Sequence, residues 1–462
     1  MAETTSNQML GTEYDVVVIG GGPMGLATAY ECAKAGKTVV VYEKSVFFNQ
    51  GGSSGDLVRM FRTAYTEDFM ADLAVQSMSL WDELEREVGC PLRHMSGLLN
   101  FGDPTYTDGP EGTLEGPIPN LERHGMAYRR LTHGEIQAEN PFYNLPDNYI
   151  GLDIPDNGVI NVPLLTSSLY NLCVKYGVHL HQYADAKRIE VKTSDPKGEW
   201  IVTVEMGNPR GHGFAPVPHQ TIAKKIAITC GAFVNHILAP SFNFTLDLTI
   251  WEMASMYFQM DMNVQFPKMW FQFALDTPAA SGDGPGISNL FYGFPAIPWG
   301  PPNAARIAVD APGRVIKDPE QRTPNFIPPE NIENVRRWVS AHVAGVGSSP
   351  VPVFSCECLQ TNVFDNMFVL DHIPEHLLPP AACAAGLERT VAVFTAGWGM
   401  KFVPLVGRAM KELLLDGKTE FDVSRFKLDR SGEGGHTVNP GPHVAPLTTR
   451  NTVGYSGSAL HR

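Results

Sequence analysis

Basic charge is scarce in this chain of 462 residues. Lys and Arg total 35 against 49 Asp and Glu, a formal net charge of −14. Nucleic-acid binders carry a basic excess to neutralise phosphates, so that class is excluded as a first expectation. No apolar run reaches the roughly 18 residues of a spanning helix. The first 15 residues (MAETTSNQMLGTEYD) are polar and lack the apolar stretch of a secretory signal. The chain ends Leu460-His461-Arg462 rather than in the peroxisomal Ser-Lys-Leu. Cytoplasmic placement is the expectation. Cysteine is sparse and odd in number: Cys32, Cys90, Cys173, Cys230, Cys356, Cys358 and Cys383. Scattered thiols of this kind argue against a disulfide framework and for a reducing compartment. Cys356 and Cys358 have no Cys or His at zinc-finger spacing, so no metal is expected.

What is present is ordinary globular composition, 43% hydrophobic and 18% charged. The length exceeds what one core usually serves, so two domains are expected. Residues 1–13 read as a loose leader. Residues 15–19 (DVVVI) are a buried strand, 23–36 a helix stopping at Gly36, and 38–42 (TVVVY) a second buried strand. This is a βαβ unit. Helices are expected at 67–89, 164–177 and 404–417. Strands are expected at 178–182, 186–192, 199–205, 225–229 and 391–396. Residues 241–354 are rich in aromatics, Pro and Met, with strand-like runs at 248–260, 268–274, 288–295 and 305–310. They read as a mainly antiparallel second domain. From Ser431 the chain is rich in Gly, Ser, Pro and Thr and reads as irregular.

Gly20-x-Gly22-x-x-Gly25 follows the first strand and opens the first helix, the context in which this spacing signals a dinucleotide. The first glycine permits the turn, the second admits a pyrophosphate, and the third lets helix and strand pack closely. Helix N–H groups and the dipole then face the phosphates. Glu43 ends the second strand, at about the ~20-residue spacing of an acid that accepts ribose hydroxyls. The loop alone does not separate one dinucleotide from another.

Further motifs do. Ser54-Gly55-Asp56-Leu57-Val58-Arg59-Met60-Phe61-Arg62-Thr63-Ala64-Tyr65 resembles the Gly-Asp-x-Arg-x-x-Arg-x-Ala-Tyr signature of the monomeric sarcosine oxidase and N-methyltryptophan oxidase family, with one extra residue between Asp56 and Arg59. The resemblance continues in order through Trp81-Asp82-Glu83-Leu84-Glu85, Gly97-Leu98-Leu99-Asn100-Phe101, Tyr292-Gly293-Phe294-Pro295 and Cys358-Leu359-Gln360-Thr361. It closes with Gly397-Trp398-Gly399-Met400-Lys401-Phe402 and Asp416-Gly417-Lys418-Thr419-Glu420-Phe421-Asp422. It spans residues 14 to about 428, and the order of the motifs makes it specific.

The resemblance implies a Rossmann-type FAD-binding domain like that of glutathione reductase and p-hydroxybenzoate hydroxylase, beside a mainly antiparallel substrate domain. The FAD domain would comprise 14–98, 152–240 and 354–428, the substrate domain 99–151 and 241–353, with 1–13 and 429–462 as flexible termini. It implies FAD tethered through Cys358, with Cys356 as the neighbour easily mistaken for it. Arg59 would face the flavin. Arg62 and Lys401 would hold a substrate carboxylate, Arg62 through its planar fork and Lys401 as a point charge. Lys401 would also begin a helix whose N–H groups stabilise the reduced ring. Gly20, Gly22, Met24, Gly25, Glu43, Lys44, Ser54, Ala186, Gly397, Gly399 and Met400 complete the expected cofactor contacts.

The chain also departs from that pattern. Trp398 stands where the family has histidine. Arg306 stands where it has a lysine over the flavin, after roughly three extra residues between Ala296 and Pro302. Asp310 stands where it has a second histidine, open either to a substrate ammonium or to pairing with Arg306. Trp398, Tyr292 and Trp299 offer stacking faces, which favours a bulkier or aromatic secondary amine over sarcosine. The activity implied is oxidation of an amino-acid-like amine to an imine by hydride transfer to flavin N5. Oxygen would reoxidise the flavin to give hydrogen peroxide, and the protein would work as a monomer away from membranes. Three alternatives stay open: a tailoring enzyme that closes a ring in natural-product synthesis, a flavin dehydrogenase using another acceptor, and a non-catalytic binding protein.

Overall fold

A computed structural model describes residues 10–107, 112–192, 198–207, 216–277, 288–324 and 326–441. The apolar run near the N-terminus forms strand β1 (Leu10–Ile19). It leads through the glycine loop into helix α1 (Pro23–Lys34) and on to β2 (Val39–Glu43). β1 is parallel to both β2 and the long strand Val217–Ile228. It is buried on both faces, as a continuous Val/Ile run requires. Val16 and Val18 face a layer of helices, α1 with Val162–Lys175 and Val403–Asp416, while Val17 and Ile19 face Trp200, Val202 and helix Val234–Phe242. The sheet runs Ala184–Val191, Trp200–Met206, Val217–Ile228, β1, β2, His179–Gln182, with Val391–Thr395 and Val369–His372 attached to the Val217–Ile228 side.

The second sheet has nine strands. Its spine is the long strand Thr249–Gln259, which pairs with Ala304–Val309, Arg314–Ile316 and the Cys358-bearing strand Pro352–Asn362. All its pairings are antiparallel except that of Met269–Phe273 with Leu98–Gly102. The mixed α/β architecture with a largely antiparallel second sheet is the expected fold class.

Three local expectations change. The strand at the N-terminus starts at Leu10, whose backbone pairs with Gln220, so residues 10–13 are not a loose leader; residues 1–9 lie outside the described residues. Residues 431–440 are not irregular: Val438–Pro440 pairs with Phe244–Leu246, and Thr437 is buried with its hydroxyl on the Arg430 carbonyl. Residues 442–462 lie outside the described part. Finally, the 241–354 region contains helix Pro329–His342. It lays Val335, Trp338 and Val339 onto the second sheet, where Trp338 stacks on Phe291 at 4.7 Å and Trp270 at 5.2 Å. Among the described residues no helix is long and apolar enough to cross a membrane.

Candidate functional site

Each glycine of the loop has a separate reason to be glycine. Gly20 has φ +106°, and a Cβ on it would lie 2.7 Å from the Thr229 carbonyl oxygen. A Cβ on Gly25 would lie 1.9 Å from the Gly20 carbonyl oxygen, so only glycine lets α1 approach β1 here. Gly22 is extended, and a Cβ there would meet nothing within 4 Å. The space beside it belongs to a cavity of about 410 Å³. Pro23 starts α1 and no side chain caps it, which leaves first-turn N–H groups to an anion from the cavity.

Glu43 stands at the lip. Its carboxylate accepts the Gly21 N–H at 2.8 Å and the Ser45 N–H at 2.9 Å, so the expected ribose acceptor also staples the loop to β2. Lys44 beside it spans the Phe233 ring at 4.6 Å and pairs with Glu320 at 3.2 Å. Ala186 lines the same end.

The cavity continues from this cradle to a chamber walled by the second sheet. Every residue expected at the site lines it except Gly25, which lies beneath the loop, and Trp299. Arg62 and Lys401 are both buried, at 5% and 8% exposure, although charged. They share one aromatic ring: the Arg62 guanidinium carbon is 4.7 Å and Lys401 Nζ 5.4 Å from the centroid of Tyr65. Left-handed backbone at Ala396 and Gly397 turns the chain along the cavity, and the Gly397 N–H ties to the Thr361 carbonyl at 2.8 Å. Lys401 does not begin the helix. It lies in a 3₁₀ turn, Gly399–Phe402, that precedes helix Val403–Asp416. Its carbonyl accepts Trp81 Nε1–H at 2.8 Å and the Ser77 hydroxyl at 3.2 Å, which fixes the turn against helix Asp68–Val88.

On the opposite strands sit two further cations. Arg59 donates to the carbonyls of Val58, Ser53 and Gly55. Burial works against its charge, but Cys358 and Asp56 nearby raise its pKa above the ordinary value. Arg306 lies over Tyr292 at 5.1 Å and Phe294 at 4.8 Å, and Tyr292 stacks on Phe271. Arg306 forms an ion pair with Asp56 at 2.7 Å. Asp310 lines the chamber, and burial together with its charge pushes the Tyr292 phenol up. Asp56 stands in the family signature without an expected role. It is the buried hub of this wall, taking Ser255 Oγ–H at 2.9 Å, Tyr257 O–H at 2.6 Å and the Leu57 N–H at 2.7 Å. Burial pushes its pKa up, but Arg306 and then Arg59 outweigh that and hold it at about 2.

The strand Pro352–Asn362 places Cys356 and Cys358 on one face, as its period of two demands. Only Cys358, opposite Met253, lines the cavity. Cys356 lies against Ser255 Oγ at 3.0 Å, and burial pushes its thiol up to about 12. All seven cysteines are free. Trp398 lines the chamber, whereas Trp299 does not: its indole donates to the Leu57 carbonyl at 3.1 Å, and the ring packs against the core cluster of Val58, Leu98 and Phe294. Thr229, Phe233, His236, Met253 and Phe271 line the cavity without a recognisable local motif. At the surface Glu375, Cys383 and Glu388 bring ligand atoms within 4.8 Å of one another, a grouping that sequence spacing did not reveal, and none of the three lines the cavity.

An open glycine cradle, an uncapped helix N-terminus and an acid at the end of the adjacent strand in the same cavity suit a dinucleotide. A chamber of cations and aromatics at the far end suits redox chemistry on a bound small molecule. Together they define a dinucleotide-dependent oxidoreductase. Residues 15–413 match the DAO family, FAD dependent oxidoreductase, and the chain belongs to that family. A Dictyostelium discoideum protein provisionally named a bifunctional amine oxidase is 47% identical over 439 residues, 94% of this chain, which spans only 38% of that relative. Monomeric sarcosine oxidase from Bacillus sp. is 26% identical, over 91% of this chain and 97% of the relative. Among solved structures, NikD, described as an unusual amino acid oxidase essential for nikkomycin biosynthesis, superposes with a TM-score of 0.76 at 28% identity. The match covers 90% of this chain and 98% of that one. The enzyme is an FAD-dependent oxidoreductase.

Proposed function

We propose that the protein oxidises a secondary, amino-acid-like amine to an imine, with FAD held covalently through Cys358 and oxygen as the second substrate. The observation that carries the reading is the pair of buried cations, Arg62 and Lys401, flanking Tyr65 in the same cavity as the phosphate cradle. Two positive charges at one buried locus suit a carboxylate. When bound, FAD supplies a two-electron sink for the hydride equivalent leaving the carbon beside nitrogen, and oxygen then restores it with release of hydrogen peroxide.

The protein's own part is binding, orientation and exclusion of water. Arg62 and Lys401 fix the carboxylate, which sets the position of the adjacent carbon. Tyr292 and Trp398 flank the remaining substrate. The amine must enter neutral, and desolvation in the chamber lowers its pKa, so the rate rises with pH without a protein base. The Gly20 to Gly25 loop, Glu43 and Arg59 would hold the dinucleotide. The FAD domain would comprise 14–98, 152–240 and 354–428 and the substrate domain 99–151 and 241–353, with the Cys358-bearing strand Pro352–Asn362 of the first of these built into the second sheet. We take a monomeric, cytoplasmic protein as the working form.

The test is anaerobic titration of the flavin spectrum with a panel of amines, from sarcosine through cyclic imino acids to N-methylated aromatic amino acids. Bleaching by one carboxylated class, reversed by air, supports the reading. A spectrum that no amine bleaches removes it. A second reading, a tailoring oxidase whose imine is trapped within the substrate, is favoured by Trp398 and Asp310 in the chamber and by the likeness to NikD. Mass spectrometry of the product separates the two, since hydrolysis yields a carbonyl compound and trapping a ring.

A further inference from the structure

Asp56 combines two properties that local stability does not explain. It is a non-glycine residue at φ +92°, a left-handed conformation such residues rarely adopt. It is also a fully buried carboxylate. Strain and a buried charge persist together only where the surroundings over-determine them. Here the Asp56 N–H donates to Gln50 Oε1 at 2.9 Å. One carboxylate oxygen takes Tyr257 O–H and the Leu57 N–H, and the other takes Ser255 Oγ–H and Arg306 Nε–H, with Arg59 Nη1 at 3.4 Å. Two guanidiniums thus share one carboxylate. The remaining neighbours, Ser255, Tyr257 and Cys356, are neutral; burial raises the pKa of both the Tyr257 phenol and the Cys356 thiol.

We propose that Asp56 is a positioning residue for the redox site: it fixes Arg306 against Tyr292 and Phe294 and offsets one of the two positive charges, Arg59 and Arg306, that share it beside Cys358. Without it Arg306 would keep its charge, since guanidinium does not deprotonate, but would lose its orienting bond. The negative charge set against Arg59 and Arg306 would be gone. The proposal rests on the reading that the flavin ring lies at the Cys358 end of the cavity.

The experiment compares FAD-loaded wild type with Asp56→Asn, Arg306→Met and the double variant. The readouts are the flavin midpoint potential and the melting temperature. A positive wall favours the electron-rich reduced ring, so Asp56→Asn should raise the potential by about 30 mV, a tenfold change in a two-electron equilibrium. Arg306→Met should lower it comparably. The double variant removes one charge of each sign, keeps the wild-type net charge and should return to the wild-type potential. If Asp56→Asn fails to retain flavin, the double variant, which buries no unpaired member of the Asp56–Arg306 pair, should regain it. Single variants that shift the potential in the same direction, or a double variant that is no better than Asp56→Asn, overturn the proposal. Potentials unmoved in all variants, with melting temperatures that still couple, would place the ring elsewhere and fail the underlying reading instead. A potential lowered by Arg306→Met but unmoved by Asp56→Asn leaves the ring placement standing and removes the role of Asp56.

Discussion

Replacing Arg62 by Met gives the sharpest separation of chemistry from architecture. Arg62 is 5% exposed and lies 4.7 Å from the Tyr65 ring. Met keeps much of that packing and removes only the fork of donors. What is lost toward a carboxylate is a buried, charge-assisted contact, which costs about 3–4 kcal/mol when one partner is truncated. At about 1.4 kcal/mol per tenfold, kcat/KM for a carboxylated amine should fall roughly 10²- to 10³-fold. The cation–π contact with Tyr65 is worth only about 1 kcal/mol and is lost equally for every substrate. The decarboxylated analogue should therefore lose no more than about fivefold. Arg62→Lys retains the charge without the planar fork and should fall between the two. The assay is the anaerobic rate of flavin bleaching at varied substrate, run in parallel on the carboxylated and decarboxylated amine. Equal losses for both substrates refute the carboxylate role and reduce Arg62 to support for Tyr65.

Cys358→Ala should release flavin into the supernatant on acid precipitation, while Cys356→Ala should leave it in the pellet; the opposite pattern reverses the assignment. Gly25→Ala places a Cβ 1.9 Å from the Gly20 oxygen and should destabilise the protein by at least about 1–3 kcal/mol in chemical denaturation. Gly22→Ala, which meets nothing within 4 Å, should leave the melting temperature of flavin-free protein unchanged and weaken only FAD binding. The folded-state pKa of Asp56, about 2, lies below the ordinary 3.8. Its stabilising contribution is therefore complete above about pH 4 and is lost as pH falls through about 2, a difference of roughly 2 kcal/mol. Denaturation curves of wild type and Asp56→Asn should accordingly converge as the pH is lowered across that window.

The features legible in the sequence are those whose cause is local. Three glycines at fixed spacing between an apolar run and a helix define the cradle because each acts on its own turn. The strand that carries Cys358 was hidden in a region of mixed composition, and its cysteine became meaningful only through the order of motifs around it. The helix Pro329–His342 went unread because its inward stripe is thin: Ile332, Val335, Trp338 and Val339 lie among charged residues, and its packing on Phe291 and Trp270 is tertiary. After Ser431, the glycine-containing strands Ser431–Gly432 and Gly435–His436 pair with each other, and Val438–Pro440 is held by Phe244–Leu246 next to the buried Thr437. Trp299 follows the Tyr292 strand and so suggests a chamber aromatic, yet its N–H is satisfied by the Leu57 carbonyl and the ring stays out of the cavity lining.

Asp56 shows the limit of local reading most directly. Its partners Ser255, Tyr257 and Arg306 lie 199, 201 and 250 residues away in sequence. The turn that carries Lys401 is fixed in the same way by Ser77 and Trp81, 324 and 320 residues distant. A buried charge needs several donors at once, and a strand or turn can contribute only one or two. The charged centre of such a site must therefore be assembled from segments far apart in the chain. The sequence can name the charges, but which of them share a partner is decided by the packing of the second sheet against the loop after β2. The arrangement of two arginines on one carboxylate is therefore a property of the fold, and the shared carboxylate is where a substitution should change redox behaviour without touching the substrate.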